Sequence, residues 1–335
     1  MNQNTPVSPR PVHEVSHRVQ SAAQLRAHGV TAAQAAAQCL PGGPWQQLLP
    51  GVYLLHPGPP SDDDRVRGAL LYAGRPPAGG RRAVPVRPGT GYGEAMVTGL
   101  AALALYGFTS APPAIALHRI DVLVPRTRRL RSTRFVQVTR AAALPRPHRG
   151  LGVPLAPVER ALADAVACLT DASTVGRILR ESVRAGHCEP ASVVRELNAA
   201  KLLDRSHVVD AVDALLIEGR AVAEGKLYET VRAHGLPQPL WNVELSLPGG
   251  GSLGGVDAYW PEQAVALELG TRSPREEHVV FAAEREHLER LGVTVVRVTP
   301  KQLRGPAAQL PVVLRTALTA AADRWPAVHV VVLPR

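Results

Sequence analysis

Residues 256–270 read VDAYWPEQAVALELG, and the fold turns on them. Val256–Trp260 and Val265–Leu269 are short β-branched and aromatic runs, and Pro261–Ala264 between them reads as a tight turn. Asp257 and Glu268 are equidistant from the point between Glu262 and Gln263, so a hairpin sets them directly opposite each other. Strand alternation then predicts one face with Asp257, Tyr259, Ala266 and Glu268, and another with Val256, Val265, Leu267 and Leu269. Two like charges about 5 Å apart destabilise a hairpin unless they are solvated, share a proton, or hold a divalent cation. Mg²⁺ suits such a pair, with Asp257 and Glu268 as ligands and Glu224 on the preceding helix as a third acid. The bland reading is two unrelated surface acids.

Outward from the hairpin, 221–234 reads as a helix stopped by Gly235, 240–247 as a strand, and 248–255 (PGGGSLGG) as a flexible turn. After it come a helix over 277–291 stopped by Gly292, a buried strand over 293–298, and a short helix opened by Thr299 and Pro300. A tail helix (310–322) and a final strand (328–333) complete the segment. The predicted order is helix, three strands, helix, strand. Upstream, 158–168, 175–185, 191–200 and 207–218 read as amphipathic scaffold helices, with Gly186 and Gly219 as stops.

The chain has 335 residues, 45% hydrophobic and 20% charged, enough for two or three domains with their own cores. It has no run of about 18 uncharged apolar residues, so no membrane span is expected. Its N-terminus lacks a signal-peptide pattern. Cys39, Cys168 and Cys188 match no zinc or disulfide spacing, which points to a reducing, cytoplasmic compartment. The net charge of +10 is concentrated: residues 65–149 hold 15 Arg against Glu94 and Asp121. Only Lys201, Lys226 and Lys301 are lysines, a bias that fits GC-rich coding and weakens arginine content alone as a sign of phosphate binding. A concentrated basic field attracts polyanions, and duplex DNA is the partner it suits.

At the N-terminal end, Ser21 with Gln24 and Thr31 with Gln34 have the capping-box form, and Gly29 separates the two helices they open. An earlier helix is expected around 11–20. Residues 45–55 (WQQLLPGVYLL) read as strand–turn–strand. Helix, helix and hairpin outline a small winged helix-turn-helix over 11–57, although its second helix (TAAQAAAQC) offers Gln34 and Gln38 and no cation. Residues 61–87 read as a linker and 95–106 as a buried helix. Two strands, 115–124 and 133–139, are expected to form a hairpin. Its tip, carrying Arg126, Arg128, Arg129, Arg131 and Arg134, is either a phosphate clamp or a solubilising loop.

With these residues in view, the segment from Glu224 to Leu303 resembles the very-short-patch-repair-like branch of the PD-(D/E)xK nuclease superfamily. The marks are Glu224, the GLPQP of 235–239, the VDAYWPE of 256–262, the VALELG of 265–270, Arg285, Leu288, Leu291 and Gly292, and the VTVVRV of 293–298. The N-terminal part, through Leu25 to Gly29 and Gly51-Val52-Tyr53, resembles the winged-helix domain of AbiEi-type antitoxins. The IDVLVP of 120–125 and the PVERALAD of 157–164 are similar to the remainder of that architecture.

The resemblance implies an α+β multidomain chain: a winged helix (11–57), a basic hairpin and helical middle (65–219), and a PD-(D/E)xK-like domain (220–335). It implies that Asp257 and Glu268 hold Mg²⁺ with Glu224 in support. It also wants a lysine or aspartate two residues after the glutamate, where this chain has Gly270, and paired histidines, of which only His278 appears. The expected function is a DNA-binding transcriptional regulator or type IV antitoxin-like protein with a degenerate nuclease fold and, as antitoxin, a cognate toxin partner. The alternatives are a Mg²⁺-dependent DNA endonuclease and a protein-interaction module without nucleic-acid binding.

Overall fold

The computed structural model describes residues 18–75, 91–113, 116–148, 152–270, 280–299, 302–303, 309–322 and 330–334. The chain is α+β and divides into two compact units, Met1–Thr170 and Asp171–Arg335. Among the described residues no helix is long and apolar enough to cross a membrane.

The first unit opens with β1 (Val19–Ser21), α1 (Ala22–Ala27), α2 (Ala32–Gln38), β2 (Gln46–Leu49) and β3 (Val52–Leu54). Both capping boxes form. Ser21 Oγ accepts from the Gln24 amide while Gln24 Oε1 accepts from the Ser21 amide, and Thr31 and Gln34 repeat the pattern. The three strands make an antiparallel sheet in the order β1-β3-β2. The end of the helix expected over 11–20 is therefore a strand: Val19 and Gln20, both buried, pair with Leu54 and Tyr53. Residues 11–17 lie outside the described residues.

The expected linker contains α3 (Asp62–Gly74). Ser61 caps it, with Asp64 in the place where Gln or Glu is usual, and three aspartates favour the positive helix start. The apolar stretch expected as one helix over 95–106 splits into β4 (Met96–Thr98) and α4 (Gly99–Leu105). Gly99 makes the corner at φ +62°, where a Cβ would lie 3.0 Å from Asp121 Oδ2.

β5 (Ile120–Pro125) and β6 (Val136–Ala141) are not a hairpin but run parallel, from Ile120 opposite Val136 to Pro125 opposite Ala141, with β4 antiparallel on the other side of β5. A parallel pair needs a crossover, normally a helix. Here residues 126–135 return the chain without one, and arginines fasten the loop. Arg140 donates to the Arg128 and Leu130 carbonyls, and Tyr72 donates to that of Arg131. Thr133 and Val136 exchange backbone hydrogen bonds around Arg134, at φ +47°. α5 (Val158–Cys168) follows, as expected.

The second unit contains α6 (Ala172–Arg184), α7 (Pro190–Ala199) and α8 (Ser206–Ala233). α8 is one continuous 28-residue helix, about 42 Å long. Gly219 is not a stop. It is buried inside α8, and a Cβ there would lie 2.4 Å from Pro190 Cγ, so it is glycine because α7 packs against it. The boundary expected at 219/220 falls within this helix.

Next come β7 (Leu240–Ser246), β8 (Ser252–Trp260), β9 (Val265–Leu269), α9 (Val280–Arg290), β10 (Thr294–Val298), α10 (Gln309–Ala322) and β11 (Val331–Pro334). Part of the expected flexible turn, 252–255, belongs to β8. The strands form one sheet, β10-β9-β8-β7-β11, with only β9 and β10 parallel. On one face, Ala258, Trp260, Val265, Leu267 and Leu269 pack with Leu227 and Val231 of α8 and Leu314 of α10. On the other, Val243, Leu245, Val256, Tyr259 and Ala266 pack with Leu288 of α9.

Candidate functional site

The hairpin register is the expected one. Ala258 pairs with Leu267, Tyr259 with Ala266 and Trp260 with Val265, and continuing that ladder sets Asp257 opposite Glu268. The two acids nevertheless do not share a face. Val256 packs in the α9 layer and Ala258 in the α8 layer, so alternation breaks at Asp257. It breaks equally across the ladder, between Val243 and Trp241, where Asn242 takes φ +50°. Because both strands flip together, the register on either side is unchanged. Glu268 alternates regularly between Leu267 and Leu269 and so belongs to the α9 side.

Asp257 is 12% exposed, and hydrogen bonds to both of its oxygens hold the carboxylate. Oδ2 accepts from the Leu269 amide at 2.7 Å, and Oδ1 accepts from Arg220 Nη2 at 2.7 Å. Arg220 Nε donates to Glu224 Oε1, also at 2.7 Å. The Nε/Nη2 fork that normally grips one carboxylate is here divided between two. Glu224 and Asp257 are thus brought together, as expected, but around a guanidinium.

This arrangement does not fit Mg²⁺. The cation position between the two acids is filled by Arg220, Asp257 also serves the backbone, and Glu268 faces the other layer. Among the described residues no group of three or more His, Cys, Asp or Glu side chains is placed to hold a metal. At Gly270, where the nuclease pattern wants its lysine, Arg297 of β10 crowds in, with Nε 3.4 Å from where a Cβ would sit. Arg297 is also the register partner of Glu268. A guanidinium stays protonated, so neither arginine can serve as a general base. His278 lies outside the described residues.

The five arginines of the basic loop divide into two groups. Arg128 Nη2 donates to the carbonyls of Ala73 and Arg75 at the end of α3, and burial, with Arg75 beside it, pushes its pKa down. Arg134 Nη1 donates to the Gln47 and Leu48 carbonyls of β2, both at 2.8 Å. Both guanidiniums fasten the crossover to neighbouring backbone. Arg126, Arg129 and Arg131 stand exposed on the same crossover. On α2, Ala32, Ala33, Gln34, Ala36, Ala37 and Gln38 are exposed, an uncharged surface.

A second pair of carboxylates, Asp121 of β5 and Asp164 of α5, lies to either side of Thr98 at the end of β4. Asp164 accepts from Thr98 Oγ1 at 2.6 Å and from Arg160 through both its oxygens. Burial pushes the nearby Asp121 carboxyl up to about 6; Arg119 opposes that shift and Asp164 adds to it. A raised pKa in the fold means that the stability from the neutral form is complete below about 3.8 and is lost as pH rises through about 6. For a partly screened group the swing is about 2 kcal/mol. Asp121→Asn is expected to match or exceed the wild type in stability at pH 8 and to lose that advantage at pH 4. Urea unfolding at the two pH values checks this.

Sequence reasoning passed over Arg220, Arg297, Tyr228 and Trp241. The signal for Arg220 was present: Arg220, Glu224 and Tyr228 recur at helical spacing and share one strip of α8. No protein-family model matches the chain, and no curated protein matches it in sequence.

Proposed function

We propose that the protein is a DNA-binding protein of the regulator or antitoxin type, whose N-terminal unit grips the phosphate backbone and whose C-terminal unit does not hydrolyse it. The observation that carries the reading is the exposure of Arg126, Arg129 and Arg131 together on one short crossover, within a segment holding 15 arginines against two acids. Arginines at this density that are not tied to backbone carbonyls suit bidentate phosphate contacts. The order of α1, α2, β2 and β3 supports a winged helix. With no cation on α2, its contribution is positioning, and the crossover supplies the charge. The helix–three strands–helix–strand order supports a PD-(D/E)xK-like second domain, and the division of Arg220 between Glu224 and Asp257 argues against the nuclease alternative.

The test is a duplex-DNA titration at two salt concentrations, with and without Mg²⁺. Affinity is expected to fall steeply with salt and to be indifferent to Mg²⁺, with no nicking. Replacing Arg126, Arg129 and Arg131 by alanine is expected to reduce the slope of log K against log salt by about 3, near one per lost phosphate contact. Absence of binding at low salt would overturn the reading in favour of a protein-interaction module, and Mg²⁺-dependent nicking would restore the nuclease.

A further inference from the structure

We infer that Tyr228 and Trp241 form a stacking platform for one unpaired nucleobase, a second contact that rests on the DNA-binding reading. The chain is poor in aromatic residues, at 4%, and among the described ones only Tyr228 is left exposed, at 50%. It does not stand alone. The Trp241 ring lies 5.6 Å away, tilted by 49°, and is itself packed against the core under α8. Leu227 and Val231, flanking Tyr228 on the helix, are each 1% exposed, so the backbone carrying the ring is fixed. A half-exposed ring braced by a second, partly buried one stacks a base at little entropic cost.

Its surroundings favour a base over a phosphate. Over residues 171–335 the charges nearly cancel, 19 cations against 20 acids, and on the strip itself Glu224 and exposed Arg232 flank Tyr228 one turn to either side, so no cluster of cations draws a phosphate here. Glu224 lies one turn before Tyr228 on the same strip of α8, and exposed Asn242 follows Trp241. A carboxylate and an amide are the group types that read base edges. Only a base out of its duplex offers both faces and edge to such a site, so single strands are the preferred substrate. Affinity gained here comes from stacking and is independent of salt, unlike that of the arginine crossover.

The test uses the whole protein and the anisotropy of a labelled single-stranded oligonucleotide and of its duplex, at low and raised salt. Tyr228→Ala is expected to weaken single-strand binding about tenfold while leaving duplex affinity and the salt slope unchanged. Tyr228→Phe is expected to bind like the wild type. Single-strand affinity that survives Tyr228→Ala overturns the platform, and if the triple arginine variant still loses binding, the DNA-binding reading stands. Equal losses on single strand and duplex also overturn it. Failure of the wild type to bind either form at low salt removes both proposals together.

Discussion

Arg220→Ala is expected to lower the stability of the C-terminal unit by about 2 kcal/mol, roughly 4–8 °C in Tm. Removing one partner of a fully buried ion pair costs more, and the loss is smaller here because Arg220 and Glu224 are each about a third exposed. Without the guanidinium, the carboxylates of Glu224 and Asp257 face each other with no counter-charge. Mg²⁺ or Mn²⁺ is therefore expected to recover part of the lost Tm in Arg220→Ala, and to do nothing for the wild type or for Arg220→Ala combined with Glu224→Gln. Arg220→Lys is expected to fall between, since an ammonium carries the charge but not the fork. Thermal unfolding of the four proteins with and without the cation measures all of this. A wild type that gains as much from Mg²⁺ as the variant would contradict the assignment of Arg220 as resident cation.

Gly219→Val is expected to cost about 3 kcal/mol, while Gly225→Ala, six residues along the same helix, is expected to add about 1 kcal/mol. Both glycines sit inside α8, where replacement by alanine normally stabilises. What separates them is space. A Cβ at Gly219 meets the Pro190 ring at 2.4 Å, so α7 has to move, and a β-branched side chain makes the overlap worse. A Cβ at Gly225 meets nothing within 4 Å. Urea unfolding of the two variants should shift in opposite directions, and equal shifts would mean that α7 does not pack on Gly219 as described.

The parts of the fold that were legible in the sequence were those set by local chemistry. The capping boxes at Ser21 and Thr31, the amphipathic α5, and the hairpin register about Glu262 and Gln263 each depend on residues close in the chain. Long-range packing defeated the rest. Gly219 has the look of a helix stop until Pro190 is set against it. Residues 115–139 look like a hairpin because nothing local announces that Arg128, Arg134 and Arg140 hold a helix-free crossover through distant carbonyls. α3 was hidden because aspartate replaces glutamate or glutamine at the third position of its cap. At the candidate site the sequence identified Asp257, Glu268 and Glu224 and their opposition. The break in alternation at Asn242 and Asp257, which turns one acid toward α8 and leaves the other on the far layer, is a backbone event with no side-chain signature.

The unbroken course of α8 limits how the protein can be dissected. A fragment trimmed to begin at residue 220 would keep the strands and the nuclease-like outline but sever a 28-residue rod near its midpoint. The cut would discard Val208 and Leu215, now at 0% exposure, together with α6 and α7. Tyr228 and Glu224 would then ride on a frayed stub. Recombinant expression of the C-terminal unit should therefore start before Asp171, ahead of α6, α7 and α8.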